Sequence, residues 1–117
     1  MTEEYWKDVE GFEGLYKISN QGIVKSLKDN HGNNREKILK PQKDKNYLFV
    51  RLYKDGKAKK CYIQRLVANA FIPNSKNMLV INHKDGNTFN NKVDNLECFS
   101  ILKDYLKTKG GRKINEL

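Results

Sequence analysis

At 117 residues the chain has the length of one domain with a modest core, and 23 lysines and arginines against 14 acids give it a formal charge of +9. Residues 1–13 hold five acids and one lysine, a net −4, so the remainder carries +13, a field that draws in polyanions and makes nucleic acid the leading partner. The apolar runs are as short as Met78-Leu79-Val80-Ile81, which excludes a membrane span or secretory leader and gives a cytoplasmic expectation, and Cys61 and Cys98 lack any C-x-x-C pairing, which excludes a zinc knuckle or a disulfide framework.

Along the chain, Trp6, Val9, Phe12 and Leu15 recur every third residue with Gly11 and Gly14 between them, a pattern that fits neither a clean helix nor a clean strand. Residues 15–19 and 23–27 flank Asn20-Gln21-Gly22 and read as a first hairpin. Residues 28–34 form a polar loop in which His31 is exposed and inert. A second hairpin joins residues 47–53 to 60–63 across Lys54-Asp55-Gly56-Lys57, where Asp-Gly favours a tight reversal.

Apolar residues at 66, 67, 70 and 71 then predict a short packed helix over residues 65–72, stopped by Pro73. Residues 78–81 predict a strand that runs into Asn82-His83, Lys84-Asp85-Gly86-Asn87 turns the chain away, and residues 96–99 predict a returning strand. Ser100 is a good N-cap for a helix to about Lys109, with Ile101, Leu102, Tyr105 and Leu106 on its apolar face and Gly110-Gly111 ending it. The two cysteines read as reduced, half-buried strand residues.

The chemistry concentrates between the last two strands. Asn82-His83-Lys84-Asp85-Gly86-Asn87, followed by Asn90-Asn91-Lys92-Val93-Asp94-Asn95-Leu96-Glu97, sets one histidine among hard oxygen donors. A neutral imidazole accepts a proton from water, and side-chain oxygens hold a divalent ion that stabilises charge on a phosphate. In a basic protein this is a kit for cutting nucleic acid. Asp85 is also good turn chemistry beside Gly86, and Asn95 is suited to bracing the loop by side-chain hydrogen bonds to backbone. Around the second hairpin, Arg51, Lys54, Lys57, Lys59 and Lys60 alternate with Tyr53 and Tyr62. Such a ribbon either lies along phosphates or is the wet side of a sheet, and Arg65 is a separate candidate for a phosphate contact.

Residues 62–104 resemble the HNH homing endonucleases of phages and mobile introns. The resemblance is carried by Gln64-Arg65-Leu66-Val67, Ala70-Phe71-Ile72-Pro73-Asn74, Asn82-His83, Asp85-Gly86-Asn87, Asn90-Asn91 and Asn95-Leu96-Glu97. Residues 5–27 resemble the nuclease-associated modular motif of the NUMOD type, through Trp6, Gly14-Leu15-Tyr16, Ile18-Ser19-Asn20, Gly22 and Val24-Lys25-Ser26. The resemblance implies an α+β fold, a ββα-metal nuclease core with an N-terminal hairpin-rich region. Its expected divisions are the motif over 1–30, a basic linker and hairpin over 31–60, the core over 61–110 and a tail over 111–117, within one compact unit.

The resemblance further implies a phage-encoded, divalent-metal-dependent endonuclease acting on double-stranded DNA in a bacterial host and leaving a 5′ phosphate and a 3′ hydroxyl. His83 would be the general base. Asn82 and Asp104 would be the ligands of one magnesium or manganese ion, with Asp85, Asn87 and Asn95 supporting the loop. Asp104 falls at the rim of the helix's apolar face, which suits either a ligand or a solvent position. Two positions depart from the family pattern: Gln64 stands where histidine is usual and cannot titrate, and Cys98 stands where tryptophan is usual. Gln64 leaves open an alternative, a weakly active or inactive DNA-binding or regulatory protein that keeps the fold. The short tail implies that site recognition rests on the N-terminal motif and the basic hairpins.

Overall fold

Antiparallel pairing between near neighbours in the chain builds most of the molecule. The structure is a computed structural model that describes residues 3–73, 75 and 80–99. A first sheet has the order β1 (Trp6–Asp8), β2 (Tyr16–Ser19), β3 (Val24–Lys28) and β4 (Asn34–Ile38), and a second joins β5 (Gln42–Asp44), β6 (Tyr47–Lys54) and β7 (Lys57–Tyr62). Helix α1 (Ile63–Phe71) follows directly on β7, and a third sheet pairs β8 (Val80–His83) with β9 (Leu96–Phe99). The α+β expectation holds.

Both predicted hairpins form. The first is β2–β3, with Ile18 opposite Val24. The second is β6–β7, with Lys54 opposite Lys57. Its turn puts both central residues at positive φ, 54° at Asp55 and 76° at Gly56, the twist-matched geometry that an Asp-Gly pair favours. Residues 6–15, which carry no clean periodicity, resolve into β1 and a pair of tight turns. Phe12 N–H donates to Val9 O at 2.9 Å and Leu15 N–H to Phe12 O at 2.9 Å, which turns Val9 and Phe12 inward.

Strands β4 and β5 have no counterpart in the sequence expectations. β4 is exposed along its whole length and so lacks the alternation that would reveal it. Helix α1 begins two residues before the expected start, because Ile63 belongs to the helical face: Ile63, Leu66, Val67 and Ala70 recur at i, i+3, i+4 and i+7. It ends at Phe71, one residue short of the expected end, with Ile72 as an extended cap before Pro73, and Lys7 Nζ from β1 donates to the Ala70 carbonyl at 3.0 Å, a cation at a helix C-terminus. The helix expected over residues 100–109, with Ser100, Asp104 and Gly110-Gly111, lies outside the described residues. Among those residues, no helix is long and apolar enough to cross a membrane.

One core joins all three sheets to the helix. It gathers Val9, Phe12, Tyr16, Ile18 and Val24 from the N-terminal region, Val50, Leu52 and Cys61 from the second hairpin, Ile63, Leu66 and Val67 from α1, and Leu96 from β9. Tyr16 also accepts the Tyr53 N–H on its hydroxyl at 3.1 Å, a polar tie between the first and second sheets. Both cysteines are free, Cys61 buried and Cys98 half-buried. Burial pushes both thiols up in pKa, so neither is poised as a nucleophile.

Leu52 is fully buried on β6 while its neighbour Tyr53 is 57% exposed. Leu52→Ala is expected to lower unfolding free energy by about 3 kcal/mol, and Tyr53→Ala by less than about 1 kcal/mol, in urea melts of the two variants. Equal losses would mean that the second hairpin is not oriented as described.

Candidate active site

His83 is the last residue of β8, opposite Leu96 of β9, and is 6% exposed. Its Nε2 lies 2.9 Å from Asn91 Oδ1, inside the protein. An amide oxygen only accepts, so Nε2 is the donor, and in the neutral ring Nδ1 then carries the lone pair. Nδ1 has no hydrogen-bond partner among the described residues. On one side the imidazole meets the Tyr47 ring, 6.4 Å between centroids and tilted by 37°.

The connection from β8 to β9 has almost no regular structure, only a short 3-10 turn over Val93–Asn95. Its backbone donors are met by side chains instead. Asp85 accepts from Asn87 N–H at 2.8 Å, from Asn90 Nδ2 at 2.9 Å and from Asn95 Nδ2 at 2.9 Å. Asn95 Oδ1 accepts the Asp85 N–H at 3.0 Å, and Asn87 Oδ1 accepts the Phe89 N–H at 3.0 Å. The structure thus brings Asp85, Asn87 and Asn95 together as the brace of this loop. Two contacts tie the loop to the β5–β6 hairpin: Thr88 Oγ1 donates to Asn46 O in its turn, and Lys43 Nζ of β5 sits 5.0 Å from the Phe89 ring centre.

Asn82 is exposed beside His83, and its Nδ2 donates to Glu97 Oε1, at 2.8 Å across the hairpin. That leaves Oδ1 as a free acceptor among the described residues, next to a carboxylate. Hard oxygen donors of this kind suit magnesium or manganese. Among the described residues, no three His, Cys, Asp or Glu side chains converge on one point, and Asp104 lies outside those residues.

The cations of the second hairpin do not form one patch. Register places Arg51 opposite Lys60 on the face that carries Phe49 and Tyr62, whereas Leu52 opposite Lys59 and Lys54 opposite Lys57 belong to the other face. On the first face Lys60 pairs with Asp44, which also accepts from the Tyr62 hydroxyl at 2.6 Å. The hydrogen bond from Lys60, then that from Tyr62, holds the Asp44 carboxyl below its usual pKa. Arg51 and Lys60 stand over the Phe49 ring at 5.3 and 4.4 Å, and Tyr62 packs edge-on to Tyr47, at 6.1 Å. This face therefore runs on to His83. On the far face Lys54 Nζ donates to Gly11 O at 2.9 Å. Arg65 is half-buried, with one guanidinium nitrogen donating to Ser75 O at 3.1 Å, so part of its capacity serves the fold. Gln64 is half-buried in the first turn of α1.

Three residues of the site went unassigned from sequence. Asn91 was visible only as one of a pair of asparagines, Glu97 only as part of Asn-Leu-Glu, and Tyr47 only as a strand residue. The signal that would have found them is the register of β8 on β9 and the place of the β5–β6 turn, neither of which a long polar loop reveals.

The candidate site is thus a histidine held at the end of a two-stranded hairpin, with an amide and a carboxylate beside it and a side-chain-braced loop between the strands. The HNH endonuclease family model matches residues 61–103, and the NUMOD4 motif matches residues 4–53. The DNA endonuclease I-HmuI of Bacillus phage SP01 is 44% identical over 92 residues, 78% of this chain and 49% of that protein. An uncharacterized HNH endonuclease of Acanthamoeba polyphaga mimivirus is 39% identical over 92 residues, 79% of this chain and 26% of that protein. A solved structure reporting DNA binding and cleavage by the HNH homing endonuclease I-HmuI aligns with a TM-score of 0.73 at 38% identity, covering 94% of this chain and 60% of that one. The chain carries matches to both the HNH endonuclease and the NUMOD4 family models and is homologous to the phage HNH homing endonuclease. It spans about half the length of the phage relative and about a quarter of the viral one.

Hydrogen bonds, first from the Asn90 side chain and then from the Asn87 N–H, hold the Asp85 carboxyl below its ordinary value of 3.8. A depressed folded pKa means that the bracing is complete above the ordinary value and is lost as pH falls through the lower, folded one. Protection of the Asn87 amide against hydrogen exchange, corrected for intrinsic rate, should therefore stay constant from neutral pH down to the ordinary carboxylate range and then drop. Asp85→Ala should remove that protection at every pH.

Proposed function

We propose that this protein is a metal-dependent DNA endonuclease of the HNH type, hydrolysing a phosphodiester to a 5′ phosphate and a 3′ hydroxyl. The observation that carries the reading is the His83–Asn91 hydrogen bond. It commits Nε2 to the interior and leaves the Nδ1 lone pair as the group that accepts a proton from water. The water oxygen bonds to phosphorus, the bond from phosphorus to the 3′ oxygen breaks, and the leaving oxygen takes a proton from solvent. Burial of the ring and the Tyr47 contact fix its direction, so little reorganisation accompanies proton transfer.

Asn82 would hold the divalent ion through Oδ1, with Asp104 as its partner from the segment outside the described residues. When bound, magnesium or manganese supplies charge stabilisation at the phosphoryl oxygens. Glu97 holds the Asn82 amide by its nitrogen and so keeps the oxygen available. The substrate class, DNA, is supported by the name of the phage relative, by the formal charge of +9 and by the Arg51 and Lys60 face that runs on to His83.

Supercoiled-plasmid nicking with magnesium, manganese or EDTA tests the reading. His83→Ala should lower turnover by about 10²–10⁴-fold with DNA affinity retained, and Asn82→Ala and Asp104→Ala should lower metal-dependent turnover. Equal nicking by the native protein and His83→Ala would overturn the mechanism.

The split between the hairpin faces gives a separate prediction. Arg51→Ala should reduce the slope of log affinity against log salt by about 0.9, the value for one phosphate contact, while Lys57→Ala should leave it nearly unchanged. Equal reductions in both variants would mean that DNA reaches both faces.

A further inference from the structure

The N-terminal hairpin touches the loop that holds His83 through its turn. The Asn20-Gln21-Gly22 turn packs on residues 91–93. Asn20 O accepts the Val93 N–H at 2.9 Å. Gly22 lies so close to Asn91 that an added Cβ would stand 3.0 Å from its carbonyl oxygen and 3.1 Å from its Cβ. Asn91 is 4% exposed and is the residue whose Oδ1 meets His83 Nε2. It is thus gripped at its backbone by the turn and at its amide by the imidazole.

The turn is itself fixed. Asn20 is 5% exposed, with Oδ1 accepting the Tyr5 N–H at 2.9 Å and Nδ2 donating to Glu3 O at 2.9 Å. Ser19 Oγ accepts the N–H groups of Gln21 and Ile23 at 3.1 and 3.2 Å. Gly22 takes φ of +83°, which a side chain resists, and an added Cβ would push the Asn91 backbone aside by a few tenths of an ångström.

We propose that this turn of the N-terminal motif positions the His83 imidazole by way of Asn91, so that Asn20, Gly22 and Asn91 are positioning residues for the reaction. The turn packs beside the Asn91 backbone with no room for a side chain to spare, the backbone sets where Oδ1 lies, and Oδ1 selects the Nε2–H tautomer that leaves Nδ1 free. A shift of a few tenths of an ångström at Asn91 lengthens that bond and lets the ring sample the other tautomer. The inference rests on the reading of His83 as base, and its test separates the two.

The measurement is the ¹⁵N spectrum of the histidine rings, read together with single-turnover nicking at saturating plasmid. Of the two histidines, His31 is exposed and serves as an internal reference. Gly22→Ala should turn His83 from a single Nε2–H tautomer into a mixture and lower kcat by about tenfold with KM unchanged. Gly32→Ala is the strain control: it has φ of +81° and nothing within 4 Å of an added Cβ, so it carries the same backbone penalty without the push, and ring and kcat should not change. In an Asn91→Ala background, Gly22→Ala should have no further effect on kcat, because its route to the ring is gone.

An unchanged His83 ring in a folded Gly22→Ala protein would overturn the inference while leaving the base assignment to stand or fall on His83→Ala. The same fold-loss in both backgrounds would overturn it too. A mixed tautomer with unchanged kcat would show that the turn positions the ring and would place the failure in the base assignment. Should Gly22→Ala fail to fold, Asn20→Ser loosens the anchor to Glu3 and Tyr5 without adding an atom, and the same two readouts decide.

Discussion

Strands β8 and β9 are four residues each, and a two-stranded sheet of that size is marginal in water on its own. Yet the proposed reaction needs one imidazole at its end held in one orientation. The requirement is met from two sides. On the apolar side, Leu96 opposite His83 enters the common core, with Ile81 packed against it. On the polar side, the loop replaces ladder hydrogen bonds with side-chain amides and one carboxylate, which satisfy backbone donors that no strand partner reaches. Asparagine is well suited to this because one side chain both donates and accepts, as Asn95 does with Asp85 and with Asn90 O. The asparagine-rich composition of the loop is a consequence of its lack of regular structure.

Charge is arranged with the same economy around the second hairpin. Lys60 is the cation of β7 on the face that runs toward His83, and it is paired with Asp44 and stacked over aromatic rings. Exposed ion pairs contribute little to stability, so the pair acts mainly as an orienting device that a phosphate could share or replace. Cation–π contact restrains the flexible lysine stem against Phe49 and Tyr62 and lowers the entropy lost when it meets an anion. Arg51 opposite it keeps a planar fork suited to phosphate oxygens.

The sequence disclosed those parts of the fold whose physics is local. The β6–β7 reversal was legible because Asp55-Gly56 has few other uses, and β9 was placed at Leu96–Phe99 with its bounds intact. Helix α1 was legible from its apolar spacing, with its start displaced because Ile63 fits the end of a strand as well as a helical face. β4 was not legible, since pairing with β3 alone leaves every residue exposed and erases the period-two pattern. At the candidate site, turn chemistry and motif spacing marked the loop residues Asp85, Asn87 and Asn95, whose side chains do brace the loop, and singled out His83 and Asn82 as candidates. Asn91, Glu97 and Tyr47 were not singled out, because each acquires its partner through tertiary contact: Glu97 across the hairpin, Asn91 into the interior, Tyr47 from another sheet. For the basic hairpin the sequence leaves open a phosphate-binding ribbon or the wet side of a sheet, and only the register shows that Arg51 and Lys60 face one way and Lys54, Lys57 and Lys59 the other.

The two sequence motifs are separable as patterns, but the structure does not treat them as separable bodies. Residues of the region matched by the N-terminal motif, Val9, Phe12, Tyr16, Ile18, Val24, Val50 and Leu52, share one core with Cys61, Ile63, Leu66, Val67 and Leu96 of the region matched by the nuclease family. Parting them would expose both sets at once, a loss of roughly 1.5–3 kcal/mol for each large side chain uncovered. Polar ties cross the same seam, from Tyr16 to Tyr53, from Lys7 to the end of α1 and from Asn20 to Val93. The structural match to the phage endonuclease runs across that seam as well, over 94% of the chain. A nuclease hairpin too small to stand alone has thus been given its missing layer by the motif that precedes it, and the geometry of its histidine depends on both.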